Sequence, residues 1–258
     1  MSHTDEDDKR LVCNILKEAG LEAEEIPEAK TKRCDLRAKA SDQEHYLFEV
    51  KGFHDDERIA TTLRDGAAYE NSLSYDARNT VESAIHEAVK QLESTARKDT
   101  DQLRVVVLLV RSKNDHDVVL QQILGTLYGK RSVVVNSVRP GKANHLECLY
   151  FSESAFFRYR AALDGAIVID GEDGAFLCLN DHGNHIARVR ESSLGRFFAR
   201  KQAMNDAAAL ERSGFLIADC GIDRKYEAEV LQFVAQKYKL DGAILMEFKR
   251  HLAMVRVT

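Results

Sequence analysis

Apolar positions recur along the chain with two periods, and the switches between them mark the elements. Over residues 5–20, Leu11, Val12, Ile15, Leu16 and Ala19 fall at the spacing of one helix face. The acids from Asp5 to Asp8 suit the start of that helix through its dipole, and Gly20 suits its end. Two short strands follow, Arg33 to Ala38 and Tyr46 to Gly52, joined by a turn at Ser41-Asp42-Gln43-Glu44. Residues 53–78 are polar and irregular; they predict a long loop, a flap over a neighbouring site, turning at Gly66. Asn79 fits an N-cap, and residues 80–97 predict a helix whose apolar face carries Val81, Ala84, Ile85, Ala88, Val89 and Leu92. The run from Arg104 to Val110 predicts a strand buried on both faces.

A helix over 116–128, with Val118, Val119, Ile123 and Leu127 inward, leads to a strand over 131–138 and a turn at Arg139-Pro140-Gly141-Lys142. A strand over 146–151 and a helix over 152–163 come next. The order hairpin, helix, strand, helix, strand predicts an α/β fold, a mixed sheet with helices on both faces. Residues 166–169 and 175–179 then predict a hairpin through Gly171 and Gly174. Beyond it we expect a helix over 192–212 with a basic side (Arg196, Arg200, Lys201, Arg212), a strand over 215–218 and a helix over 226–238. A terminal pair of strands, 242–248 and 252–257, closes the chain. The expected division is into residues 1–164 and an additional α+β unit of residues 165–258. That second unit would bind a partner or substrate, form a homodimer, or extend the first sheet.

At 258 residues the chain has enough length for one large domain or two small ones, and 44% hydrophobic with 31% charged residues is a globular composition. No apolar run is long enough to span a bilayer, and the acidic start lacks a signal-peptide pattern. Five scattered cysteines with no C-x-x-C read as reduced thiols and imply a cytoplasmic protein. The formal charge of −5 argues against a protein that coats nucleic acid, yet leaves room for a local basic groove.

The chemistry concentrates in the first two strands. Alternation puts Glu49 and Lys51 on one face of the second strand, with Phe48 and Val50 on the other. Asp35 lies on the neighbouring strand. Buried charge is costly unless it pairs or binds metal, so two carboxylates and an ammonium converging on a strand point to a site. Lys30, Lys32, Arg33, Arg37 and Lys39 crowd the first strand, as a solvated face or as phosphate contacts beside the acids.

An aspartate, a short gap and then Glu-x-Lys at the end of an apolar strand resembles the PD-(D/E)xK, or restriction-endonuclease-like, nuclease superfamily. Asp35, Glu49 and Lys51 match its two acids and its lysine, and Cys34 stands where the motif has proline. The resemblance covers roughly residues 5–140. It implies a metal-dependent nuclease acting on phosphodiester bonds, with DNA the first substrate. Mg²⁺ or Mn²⁺ would be held by Asp35, Glu49 and the backbone carbonyl of Val50. Lys51 would orient water or stabilise the transition state. Gln91, followed by Leu92 late in the helix over 80–97, resembles the glutamine that accompanies the lysine in several branches of the superfamily. The resemblance also implies an extra acid from the first helix, Glu6 or Asp8. The alternative is a catalytically inactive module of the same fold that binds nucleic acid or protein.

Other groupings carry less. Glu247-Phe248-Lys249 repeats the acid-x-lysine pattern, but its upstream acids Asp219 and Asp241 are not on a partner strand. Asp181-His182-Gly183-Asn184-His185 offers two histidines and an acid in a turn, without a cysteine at zinc spacing. His54 follows the motif closely and reads as incidental. G-x-S-x-G, a Walker loop and the Rossmann glycine pattern are all absent.

Overall fold

A computed structural model describes residues 5–27, 33–41, 44–55, 61–62, 64–65, 68–74, 79–96, 102–113, 115–136, 143–171, 174–247 and 249–254. The fold is α/β, with a large mixed sheet flanked by helices and a smaller second sheet. The chain forms two compact units, and each takes three separate stretches of sequence. The first is Met1–Phe53, Glu82–Arg111 and Phe156–Asp206; the second is His54–Val81, Ser112–Ala155 and Ala207–Thr258.

In the first unit, helix α1 (Asp5–Glu18) precedes strands β1 (Glu22–Glu25), β2 (Leu36–Ser41) and β3 (Glu44–Phe53). Among the described residues its sheet has seven strands. In order these are β1, β2, β3, β5 (Gln102–Val110), β8 (Gly165–Asp170), β9 (Gly174–Leu179) and β10 (Met204–Asn205). β2 runs antiparallel to β3, with Leu36 opposite Phe48, while β3, β5 and β8 run parallel. Parallel neighbours on both sides explain why β5 is buried without a break from Val105 to Val110. On one face, Val12 and Leu16 of α1 pack with Phe48, Val105 and Val107. Helices α5 (Ile186–Glu191) and α6 (Ser193–Arg200) add Val189, Leu194, Phe197 and Phe198 to that core. The opposite face carries α2 (Asn79–Thr95), whose Ile85, Ala88, Val89 and Leu92 are buried.

The second unit holds the sheet β11 (Leu216–Ile217), β7 (Ala143–Leu149), β6 (Arg131–Asn136), β12 (Ile244–Met246). Its core joins Val133, Val135, Cys148 and Phe151 to Val230 and Val234 of α8 (Glu227–Tyr238). Helix α3 (His116–Tyr128) buries Val118, Val119, Ile123 and Leu127 and stops at Gly129. That residue is left-handed (φ +61°), and a Cβ there would lie 2.2 Å from the Ser152 carbonyl oxygen. A two-stranded ribbon pairs β4 (Tyr69–Ser74) with β13 (Lys249–Met254).

Several expectations are corrected. The two units do not divide at 164/165: β8, apolar from Gly165 to Ile169, needs both faces covered and finds cover beside β5. The Asp164 amide donates to the Arg104 carbonyl and the Arg104 amide to Asp164 Oδ2, which fixes that junction. Strand β6, expected in the first sheet, belongs to the second, beside β7. The helix over 152–163 shrinks to α4 (Ala155–Arg158), since Asn180 Nδ2 donates to the carbonyls of Phe156 and Leu163. The helix over 192–212 breaks where Gln202 turns left-handed (φ +55°) and β10 joins β9, before resuming as α7 (Ala207–Arg212). The terminal strands pair with β6 and β4 rather than with each other. Part of the expected flap is strand β4. Gly66, Asp42, Gln43, the 139–142 turn and residues 255–257 lie outside the described residues.

One ion pair fixes α1 against the end of β5. Arg111 donates to Asp8 Oδ1 through Nε at 2.9 Å and Nη2 at 2.7 Å; Asp8 is buried and Arg111 only slightly exposed. Asp8→Ala, which strands the guanidinium, is expected to cost about 3 kcal/mol, read as a fall in the urea midpoint.

Candidate functional site

Register brings the acids together. Because Leu36 pairs with Phe48, Asp35 lies across from Glu49 just where β2 begins. Two crossed hydrogen bonds lock them: the Asp35 amide donates to Glu49 Oε2 (3.1 Å), and the Val50 amide donates to Asp35 Oδ2 (2.9 Å). Glu49 and Lys51 share the α2 face of β3, and Lys51 Nζ lies 2.6 Å from Glu49 Oε1. The same ammonium donates to Gln91 Oε1 at 3.2 Å. Gln91 in turn donates to the Arg33 carbonyl (3.2 Å), and Thr95, one turn on, accepts from the Cys34 amide (2.9 Å). Helix α2 thus holds both the lysine and the strand that carries Asp35. All four expected side chains meet.

Burial sets the electrostatics. The Glu49 side chain is 1% exposed. Its pKa rises to about 7, chiefly through burial and then through repulsion from Asp35, with Lys51 pulling the other way. A divalent cation brought against it would favour its ionised form. Asp35 and Glu49 are hard oxygen donors. The Val50 amide points at Asp35, and in a strand the carbonyl of the same residue leaves on the same edge, making a third oxygen donor. Three protein oxygens match Mg²⁺, which keeps several waters. The residues therefore fit such an ion.

A fifth side chain arrives from α1. Lys9 Nζ lies 3.0 Å from Asp35 Oδ1. Burial works to lower its pKa, but Asp35, with Glu25 and Asp5 nearby, pulls the other way and the net shift is upward. The first helix therefore gives the site a base where the resemblance implied an acid. Asp8 is spent on Arg111 and Glu6 is exposed. The signal was in the sequence: Lys9 precedes Val12 and Leu16 on the buried stripe of α1.

A groove of about 730 Å³ runs along the same face of β2 and β3 toward the end of α2. Arg33, Arg37, Lys39, His45 and Gln102 line it. Two of its bases are paired by β1: Arg37 with Glu24 at 2.6 Å and Lys39 with Glu22 at 3.3 Å. Lys30 and Lys32 lie outside the described residues.

No family model, no curated protein and no solved structure matches this chain.

The rival groupings are engaged elsewhere. His185 Nδ1 lies 2.9 Å from Asp164, Asp181 faces Arg190, and His182 meets the Phe157 ring edge-on. Glu247 and Lys249 form a half-exposed pair at 3.4 Å, and Phe248 between them lies outside the described residues. His54 is exposed. Among the described residues, no three His, Cys, Asp or Glu side chains group as metal ligands, so the acids of the site number two.

The raised Glu49 pKa makes stability depend on pH. Between its ordinary 4.5 and about 7 the folded protein holds a proton that the unfolded chain has released. Stability therefore falls as pH rises through that window. We expect a loss of roughly 3 kcal/mol in metal-free buffer, and a flat profile for Glu49→Gln, both measured by urea titration across pH.

Proposed function

We propose that this protein is a metal-dependent nuclease that hydrolyses phosphodiester bonds, with DNA as its first substrate. The observation that carries the reading is the meeting of Asp35, Glu49 and Lys51 at one strand end, with Gln91 on the lysine. Asp35, Glu49 and the Val50 carbonyl would hold Mg²⁺ or Mn²⁺. When bound, the ion supplies a water of lowered pKa and neutralises charge on the phosphate. Lys51 supplies fixed positive charge where the transition state becomes most anionic. Gln91 limits the positions open to the lysine. The bases of the groove suit contacts to backbone phosphates beside the acidic site. No helix among the described residues is long and apolar enough to cross a membrane. We place the protein in the cytoplasm on its five cysteines, all of them free thiols.

A second reading has its own observation. Each oxygen of the two carboxylates already has a protein donor. That self-sufficiency suits a non-catalytic module that binds nucleic acid or protein through the same face.

Incubation with linear, supercoiled and single-stranded DNA and with RNA, in Mg²⁺, Mn²⁺ or EDTA, separates the two. Lys51→Ala is expected to lose cleavage by about a thousandfold with an unchanged circular-dichroism spectrum. Asp35→Ala and Glu49→Ala are expected to lose Mn²⁺ binding in calorimetry. Cleavage by Lys51→Ala at the wild-type rate removes its role, and binding without cleavage in every condition favours the module.

A further inference from the structure

The site is balanced before any ion arrives: two carboxylates face two ammonium groups. Asp35 Oδ2 takes the Val50 amide and Glu49 Oε2 takes the Asp35 amide. Glu49 Oε1 takes Lys51, and Asp35 Oδ1 takes Lys9. A divalent ion entering here would raise the local charge to an excess of two, in a place that is largely screened from water. One existing donor has to give way.

The four donors are not equally able to leave. The two amides belong to the backbone at the start of β2 and within β3, and sheet pairing fixes them. Lys51 is tied a second time, to Gln91, which is itself tied to Arg33. Lys9 stands apart. It comes from α1, on the far side of the sheet from α2, and ends a flexible four-carbon stem. Its side chain is 23% exposed, so the ammonium has water within reach when it lets go. An ammonium and a divalent ion sharing one carboxylate repel each other.

We infer that Lys9 is an internal counter-ion holding the cation subsite at Asp35, and that a divalent ion binds by displacing its ammonium. This rests on the nuclease reading and adds to it a regulation of metal loading. In the absence of substrate the ion competes with a tethered positive charge and binds weakly. A phosphodiester brings negative charge, restores the balance and favours the loaded state. Lys9 acts through Asp35 and is a positioning residue.

Calorimetric titration of Mn²⁺ into the full chain at about pH 8.5, where Glu49 is ionised, tests this without any cleavage assay. Lys9→Met keeps the stem and removes the charge; it is expected to bind Mn²⁺ about tenfold more tightly than the wild type. Lys9→Arg is expected to bind as the wild type does. Lys9→Gln gives a second neutral variant if the first is poorly folded, which thermal melting reports. A Lys9 contact that mattered only for folding would leave Mn²⁺ affinity unchanged or lower it. If the wild type binds Mn²⁺ and both neutral variants bind no more tightly, the counter-ion role is overturned and the metal assignment stands. If neither the wild type nor the neutral variants bind Mn²⁺, the metal assignment fails and this inference fails with it.

Discussion

The carboxylate of Glu49 sits inside the sheet with almost no water around it, and much of the first unit answers to that fact. An ionised carboxylate in such a place costs several kcal/mol unless hydrogen bonds and a counter-charge meet it. One strand supplies the Asp35 amide, and Lys51 on Glu49's own strand supplies the charge. Asp35 itself works against them by adding a second carboxylate next door. For stability alone, an apolar pair of similar volume would serve at least as well. Charges held together at such a cost belong with chemistry or binding rather than with folding.

Two layers converge on that point from opposite sides of the sheet. Helix α2 lies on the Glu49 face and contributes Gln91 and Thr95, one turn apart, each holding a different part of the Arg33–Asp35 segment or its lysine. Helix α1 packs on the other face through Val12 and Leu16, and reaches the site through Lys9 where β2 starts. The Asp8–Arg111 pair, adjacent in sequence to Lys9, anchors that helix to the end of β5. The site therefore sits where a strand begins, and side chains from both layers reach it.

The interleaving of the two units follows from strand pairing. The chain leaves the first sheet after β5, builds two of the four described strands of the second sheet, and returns as β8 to the open edge of β5. β5 needs a neighbour on each side to satisfy its backbone, and an apolar strand sixty residues later in the chain provides the second.

Local periodicity was enough to read α1, α2, β3, β5 and α3, because side-chain spacing depends only on the element itself. It was also enough to place Asp35 near Glu49 and Lys51, since a hairpin register spans few residues. Gln91 was named only through a family resemblance, because an exposed-looking glutamine on a helix has no pattern of its own. Other features were decided by contacts between residues far apart in the chain. These are the partner of β8, the pairing of Arg37 and Lys39 with β1, the break at Gln202 and the approach of Lys9 to Asp35. The sequence alone determined which residue types carry charge on which face of each element. The tertiary structure decided which of those charges meet, because hydrogen-bond demand at strand edges and the packing of two helical layers act across the whole fold.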